Sequence, residues 1–209
     1  MLADLALEVE AATLLAFRLA RAFDRSGGEE HERLLARLAT PIAKYWLCKR
    51  LPAIAVEAME CLGGNGYVEE APLARLYREA PLNGIWEGSG NVICLDVLRS
   101  IRQEPESIEA LIEEIGRGGD RMKSSISAIS RSLRETTGVE ARARRVVESI
   151  AIALEASLMA QNASPEAADA FCASRLEGDW GRAFGTLPSA APCEAIVRRA
   201  LSLGPRSPA

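Results

Sequence analysis

Apolar residues recur at helical spacing along almost the whole chain, and one stretch breaks that pattern. After Cys61 the sequence runs Leu-Gly63-Gly64-Asn65-Gly66-Tyr-Val. It then reaches Ile85-Trp86-Glu87-Gly88-Ser89-Gly90-Asn91, where a carboxylate sits between a Trp and a Gly. Glycines of this density end helices and admit backbone conformations closed to other residues. The fold must therefore be helices arranged around one irregular bend. Composition agrees: of 209 residues 48% are hydrophobic but only 5% aromatic. That Ala- and Leu-rich balance favours packed helices over sheets.

The spacing predicts a first helix over 2–25, stopped by Ser26-Gly27-Gly28, and a second from 29 to 39 with an acidic first turn. Thr40-Pro41 is either a cap with proline at the first helical position or a kink in one longer helix. Helix continues over 42–62, bent at Pro52. Residues 63–81 read as a loop, with a helical turn around Ala74 to Arg78, and a further helix covers 91–101. Beyond Pro105, helices are expected over 106–116, 119–135, 139–162, 165–177 and 188–203, and 204–209 reads as a frayed tail. The expected fold is all-α: an antiparallel, up-and-down bundle over 1–103 with an appended helical C-terminal tail over 104–209. Met1 opens directly in a helical pattern without a cap, as in a truncated gene or an excised domain.

Charge narrows the function classes. The chain carries 25 basic and 29 acidic side chains, net −4; residues 1–103 hold 12 and 14 of them, residues 104–209 hold 13 and 15. Neither half is a basic module, so neither nucleic acid nor an anionic membrane is expected as a global partner. No run of ~18 apolar residues suits a membrane span. No basic lead followed by an apolar run marks a signal peptide. Five cysteines without a C-x-x-C pair suit reduced thiols in a cytoplasmic protein, and no metal-ligand set is assigned.

Each candidate site has a plainer account beside it. Gly63 and Gly64 could present backbone to a phosphate or cofactor; equally, they could be a helix cap and turn. Glu87 could be a general base if Ile85 and Trp86 supply apolar surroundings and Gly88 leaves room for a substrate. It could also be a first-turn glutamate favoured by the helix dipole. Arg75, Arg78 and Glu79 could clamp an anion or form a structural ion pair, and Arg99 has Asp96 three residues before it. His31 reads as a solvated surface residue. Residues 117–145 hold eight basic and three acidic side chains, a local +5 that is either a phosphate-contacting surface or a solvated helix face.

Taken together, Gly63-Gly64-Asn65-Gly66, Arg78-Glu79-Ala80 and Glu87-Gly88-Ser89 resemble the C-terminal helical domain of the acyl-CoA dehydrogenase family. The run from Tyr77 to Arg99, with Arg37 to Lys44 before it, looks closest to the AidB-like branch, tied to the adaptive response to DNA alkylation. The resemblance covers residues 1 to about 103 and, more weakly, the tail. It implies α,β-dehydrogenation of acyl-CoA thioesters using FAD, with Glu87 as general base. It also implies that Trp86, Ser89 and Asn91 approach the flavin, and that Gly63 and Gly64 contact the cofactor's ADP portion across a subunit interface. Glu60 stands where many members carry a Gln, which disfavours a phosphate there. A dimer or tetramer is implied. The family's preceding helical and β domains are expected to be missing, leaving a site incomplete as an enzyme on its own. The branch suggests DNA as a second partner, and a folded but inactive oligomerisation module is a third possibility.

Overall fold

The computed structural model describes residues 1–203; the expected frayed tail lies outside the described residues. Among them every regular element is helical. The first two helices are α1 (Leu2–Arg25) and α2 (Glu30–Cys61). Ala3, Leu7, Ala11, Leu15 and Ala22 form the buried stripe of α1, spaced by whole turns. Arg18 of α1 bonds Glu32 near the start of α2, and Glu8 bonds Arg50 much further along it, so the two helices are antiparallel.

Helix α2 runs unbroken for 32 residues with both Pro41 and Pro52 inside it. The long-helix alternative at Thr40-Pro41 is therefore the one realised. Each proline removes a donor and crowds the preceding turn. Burial of Leu34, Leu35, Leu38, Ala39, Ile42, Ala43, Tyr45 and Trp46 around Pro41, and of Ala55 and Met59 beyond Pro52, outweighs that cost. Pro52 leaves the Cys48 carbonyl without its helical N–H. The backbone approaches that oxygen at Gly84, where an added Cβ would lie 3.7 Å from it.

The segment expected as a loop with a helical turn around Ala74 to Arg78 is mostly helical, and that turn is part of a longer helix. The segment holds α3 (Gly64–Tyr67), α4 (Pro72–Glu79) and a 3-10 turn (Ala80–Gly84), all packed on α2. Pro72 supplies a start signal that glycine density had masked, since proline at the first helical position forfeits no hydrogen bond. Gly66 is required by packing: a Cβ there would lie 2.2 Å from the Met59 carbonyl oxygen.

The later elements are α5 (Gly90–Gln103), α6 (Glu106–Gly116), α7 (Lys123–Arg134), α8 (Ala143–Asn162), α9 (Pro165–Phe171) and α10 (Cys193–Leu203). Three expectations shift at their edges. The helices expected over 119–135 and 139–162 begin as 3-10 turns at Asp120–Met122 and Glu140–Arg142. The one expected over 165–177 ends as a π turn at Cys172–Leu176. The helix expected from 188 starts at Cys193, because Pro192 lacks the donor that an earlier start would need.

Helix α8 is buried on nearly every face and packs on α1, α2, α5, α6, α7 and α9. The second half of the chain therefore joins the same hydrophobic core as the first. Two polar devices lock it there. Trp46 Nε1 donates to Glu155 Oε2 of α8 at 2.8 Å. Arg175, after α9, bonds Asp4 and Glu8 of α1 with its guanidinium 3% exposed. Arg50 bonds Glu8 as well, Trp180 Nε1 donates to Asp4, and Arg50 and Arg175 both lie over the Trp180 ring.

Burial pushes the Glu155 carboxyl up to about 8, more than the Trp46 hydrogen bond lowers it. A carboxyl whose folded pKa is raised contributes stability that is complete below the ordinary carboxylate range and lost as pH rises through the folded value. Glu155→Gln keeps an acceptor for Trp46 and removes the ionisation. The wild-type urea midpoint should therefore fall relative to Glu155→Gln between about pH 5 and about pH 9. Parallel midpoints across that range would refute the assignment. The glycines give a second expectation. Gly66→Ala should destabilise by roughly 1–3 kcal/mol through overpacking. Gly64→Ala, where an added Cβ meets nothing within 4 Å, should be nearly neutral in the same urea titration.

Candidate functional site

The bend after α4 is set by its backbone. Ile85 and Trp86 donate their N–H groups to the Leu82 carbonyl, closing a tight turn. Glu87 follows with φ of 53°, and it is the one non-glycine residue with positive φ among those described. Gly88, at φ of 115°, then leads into α5. A left-handed glutamate costs on the order of 1 kcal/mol and persists only where its neighbours hold it. Lys44 of α2 does so. Its Nζ donates to the Trp86 carbonyl at 2.9 Å and to the Gly88 carbonyl at 2.6 Å, one on each side of Glu87. Hydrogen bonds from a charged donor contribute roughly 1.5–3 kcal/mol each, enough to offset the strained residue.

Ser89 is the N-cap of α5, but its hydroxyl makes no capping bond. The first amides of α5 therefore have no side-chain partner at Ser89. Ser89 and Asn91 are exposed. Lys49 and Arg144 crowd the same helix start, since a Cβ on Gly90 would lie 2.9 Å from Lys49 Cε and 3.2 Å from an Arg144 guanidinium nitrogen. Nearby thiols are poor nucleophiles: burial pushes Cys48 up and takes Cys94 to about 11.

Glu87 is exposed, and Ile85 and Trp86 are 65% and 54% exposed. The apolar shelter expected from those two neighbours is not formed within the chain, because both side chains face outward. Trp86, Glu87, Ser89 and Asn91 do lie together at the mouth of α5. Gly63 and Gly64 do not join them. Their loop closes α2 beyond Met59, whereas the Glu87 turn hangs on Lys44; fifteen residues of helix put these anchors roughly 22 Å apart. Gly63 has φ of 56°, and neither Gly63 nor Gly64 has an atom within 4 Å of an added Cβ, so backbone there is open to approach. Beside it lies a groove of about 410 Å³ lined by Val56, Met59, Glu60, Gly63, Tyr67 and Tyr77.

Other candidates resolve into ordinary pairs. Arg78 bonds Glu69 at 2.6 Å, Arg75 faces Glu79 at 3.9 Å, and Arg99 faces Asp96 at 3.6 Å, all with exposed side chains. His31 is partly buried against Glu113 and Glu114, at 3.5 and 3.7 Å, rather than fully solvated. Among the described residues no group of His, Cys, Asp and Glu is arranged for a metal ion. Sequence reasoning assigned Lys44 no role. It lies 43 residues before Glu87, and one sequence carries no signal for a side-chain-to-backbone bond across that span.

Comparison with known proteins bears on this geometry. Residues 1–102 match the model of the acyl-CoA dehydrogenase C-terminal domain. The chain is 42% identical to AidB of Escherichia coli (strain K12) over 180 residues, which is 85% of this chain and 33% of AidB. That likeness runs well past residue 102. Acyl-CoA dehydrogenase family member 11 of Caenorhabditis elegans is 31% identical over 64% of this chain and 23% of that protein. A crystal structure of Caenorhabditis elegans ACDH-11 in complex with C11-CoA superposes with a TM-score of 0.69 at 24% identity, over 79% of this chain and 34% of that one; it speaks to the fold alone. The chain thus spans about a third of the length of AidB. By the motifs of its irregular bend, its all-helical fold and the match over residues 1–102, this chain belongs to the acyl-CoA dehydrogenase family as its C-terminal helical domain, with an AidB-like continuation.

Proposed function

We propose that this chain is the base-bearing part of an FAD-dependent acyl-CoA dehydrogenase acting on the α,β bond of acyl thioesters. The observation that carries the reading is the Glu87 turn: a left-handed glutamate, bracketed by two anchored carbonyls, at the open end of a helix. Strain of that kind persists where the surrounding structure over-determines it, and functional sites are where it clusters. In this reading the Glu87 carboxylate takes the α proton of the thioester. Trp86 offers an exposed ring, and Ser89, Asn91 and the first amides of α5 offer hydrogen bonds to a polar group. Bound FAD would supply the acceptor for the β hydride.

The residues present fit such a cofactor from one side. The α5 mouth and the backbone at Gly63 and Gly64 are unobstructed. Their separation supports assigning them to cofactors bound in different copies of the chain. Glu60 in the groove beside Gly63 suits a ribose hydroxyl better than a phosphate, since a carboxylate accepts hydrogen bonds and repels anions. The exposed Leu62, Tyr67, Val68, Leu76, Ile85 and Val92 support a homo-oligomer, because apolar side chains left in water favour association. The division near residue 103 is then a boundary between a family module and its extension, the two sharing one core. Free cysteines are consistent with a cytoplasmic setting, and no helix among the described residues is long and apolar enough to cross a membrane.

No particular contact favours the DNA reading. Within the +5 segment Arg117, Arg121, Lys123 and Arg142 already face carboxylates. Only Arg131, Arg134, Arg144 and Arg145 lack such a partner among the described residues.

The base assignment has a direct test. In deuterated water with FAD added, a full-length acyl-CoA dehydrogenase that carries this chain as its C-terminal part should catalyse α-deuteration of a saturated acyl-CoA, read by mass spectrometry, and Glu87→Gln in it should slow exchange about 100-fold or more. Equal exchange by the variant would sink the assignment.

A further inference from the structure

The Glu87 turn owes its shape to a residue outside the family motif at the bend. Lys44 sits on α2, half-buried, and makes no ion pair with any carboxylate among the described residues. Its ammonium instead spans the Trp86 and Gly88 carbonyls, at 2.9 and 2.6 Å. The Trp86 carbonyl belongs to the peptide unit that precedes Glu87 and the Gly88 carbonyl to the unit that follows Gly88, so anchoring both restrains the backbone angles of Glu87 and Gly88 between them. No other side chain among the described residues hydrogen-bonds the turn.

The charge matters as well as the reach. A hydroxyl has one proton to donate, whereas an ammonium has three, can serve both carbonyls at once and makes the stronger, charge-assisted bonds. Helix α2 carries the ammonium on a rigid support, since Tyr45 and Trp46 beside it are buried in the core. On the other side, Gly88 faces Ile93, whose side chain would come within 3.1 Å of an added Cβ, so position 88 has little room for a side chain. Glu87 thus sits between two carbonyls clipped by one charged group.

We propose that Lys44 is the positioning residue for Glu87: by bridging the carbonyls on either side, it holds the left-handed backbone that projects this carboxylate outward from the bundle. The proposal rests on the reading of Glu87 as general base, and its physical content can be tested apart from that reading.

The chain contains three tryptophans, Trp46, Trp86 and Trp180. Labelled with 5-fluorotryptophan, it gives three fluorine resonances, and Trp86→Phe identifies the one at the turn. Lys44→Met should shift or broaden the Trp86 resonance and leave those of Trp46 and Trp180 in place, which also certifies the fold. Lys44→Arg, whose fork can still reach two carbonyls, should restore it. In the α-deuteration assay Lys44→Met should lose about 100-fold in rate with KM little changed, as expected for a reacting group displaced by about 1 Å. An unmoved Trp86 resonance in Lys44→Met overturns the proposal, as does Lys44→Arg behaving like Lys44→Met. If Glu87→Gln leaves exchange untouched, the function reading fails while the fluorine spectra still decide the role of Lys44.

Discussion

The fold depends on two buried carboxylates at the start of the chain finding Arg175 near its end, with Arg50 beside it. Asp4 and Glu8 lie inside α1, and a carboxylate left unpaired there would cost more than the surrounding apolar contacts return. Arg175 meets both, Arg50 meets Glu8, and Trp180 and the Gly185 amide complete Asp4. The pairing forces α1, α2 and the segment after α9 to close on one another. That closure leaves α8 surrounded and brings Glu155 under Trp46. A buried ion cluster adds little net stability compared with apolar residues, but breaking it is expensive, so its effect is to select one arrangement.

The candidate site inherits its order from that arrangement. Helix α2 is pinned by the core through Tyr45 and Trp46 and by the charge cluster through Arg50. Lys44, one residue before Tyr45, is therefore held in place, and the Glu87 turn is fixed through it. Little of the site is buried: Ile85, Trp86 and Glu87 all face outward. Its definition comes from backbone anchoring rather than enclosure. This suits a surface that becomes a pocket only when further protein covers it.

Much of the helix pattern was legible because period is a local property. The stripe of α1, the stop at Gly27-Gly28 and the boundaries of α6 could be read from spacing alone. What escaped was tertiary. Whether Pro41 caps a new helix or kinks a longer one could not be decided until the burial around it was known. Of α4 only the turn around Ala74 to Arg78 was read within the loop, because three glycines outweighed the start signal at Pro72. At the site, Glu87 stood out through its motif, whereas the missing shelter of Ile85 and Trp86 could not be foreseen, because periodicity gives no orientation inside a turn. The bond from Lys44 crosses 43 residues and leaves no trace in composition or spacing.

The continuity of α2 through two prolines has a mechanical corollary. The glutamate turn and the glycine bend are mounted on one rod, so their spacing and their relative angle are a property of that helix. Adding a single residue to the rod between Lys44 and Met59 would swing one mount about 100° around the axis relative to the other. Evolution could therefore redecorate either end freely while the length of rod between them stayed fixed.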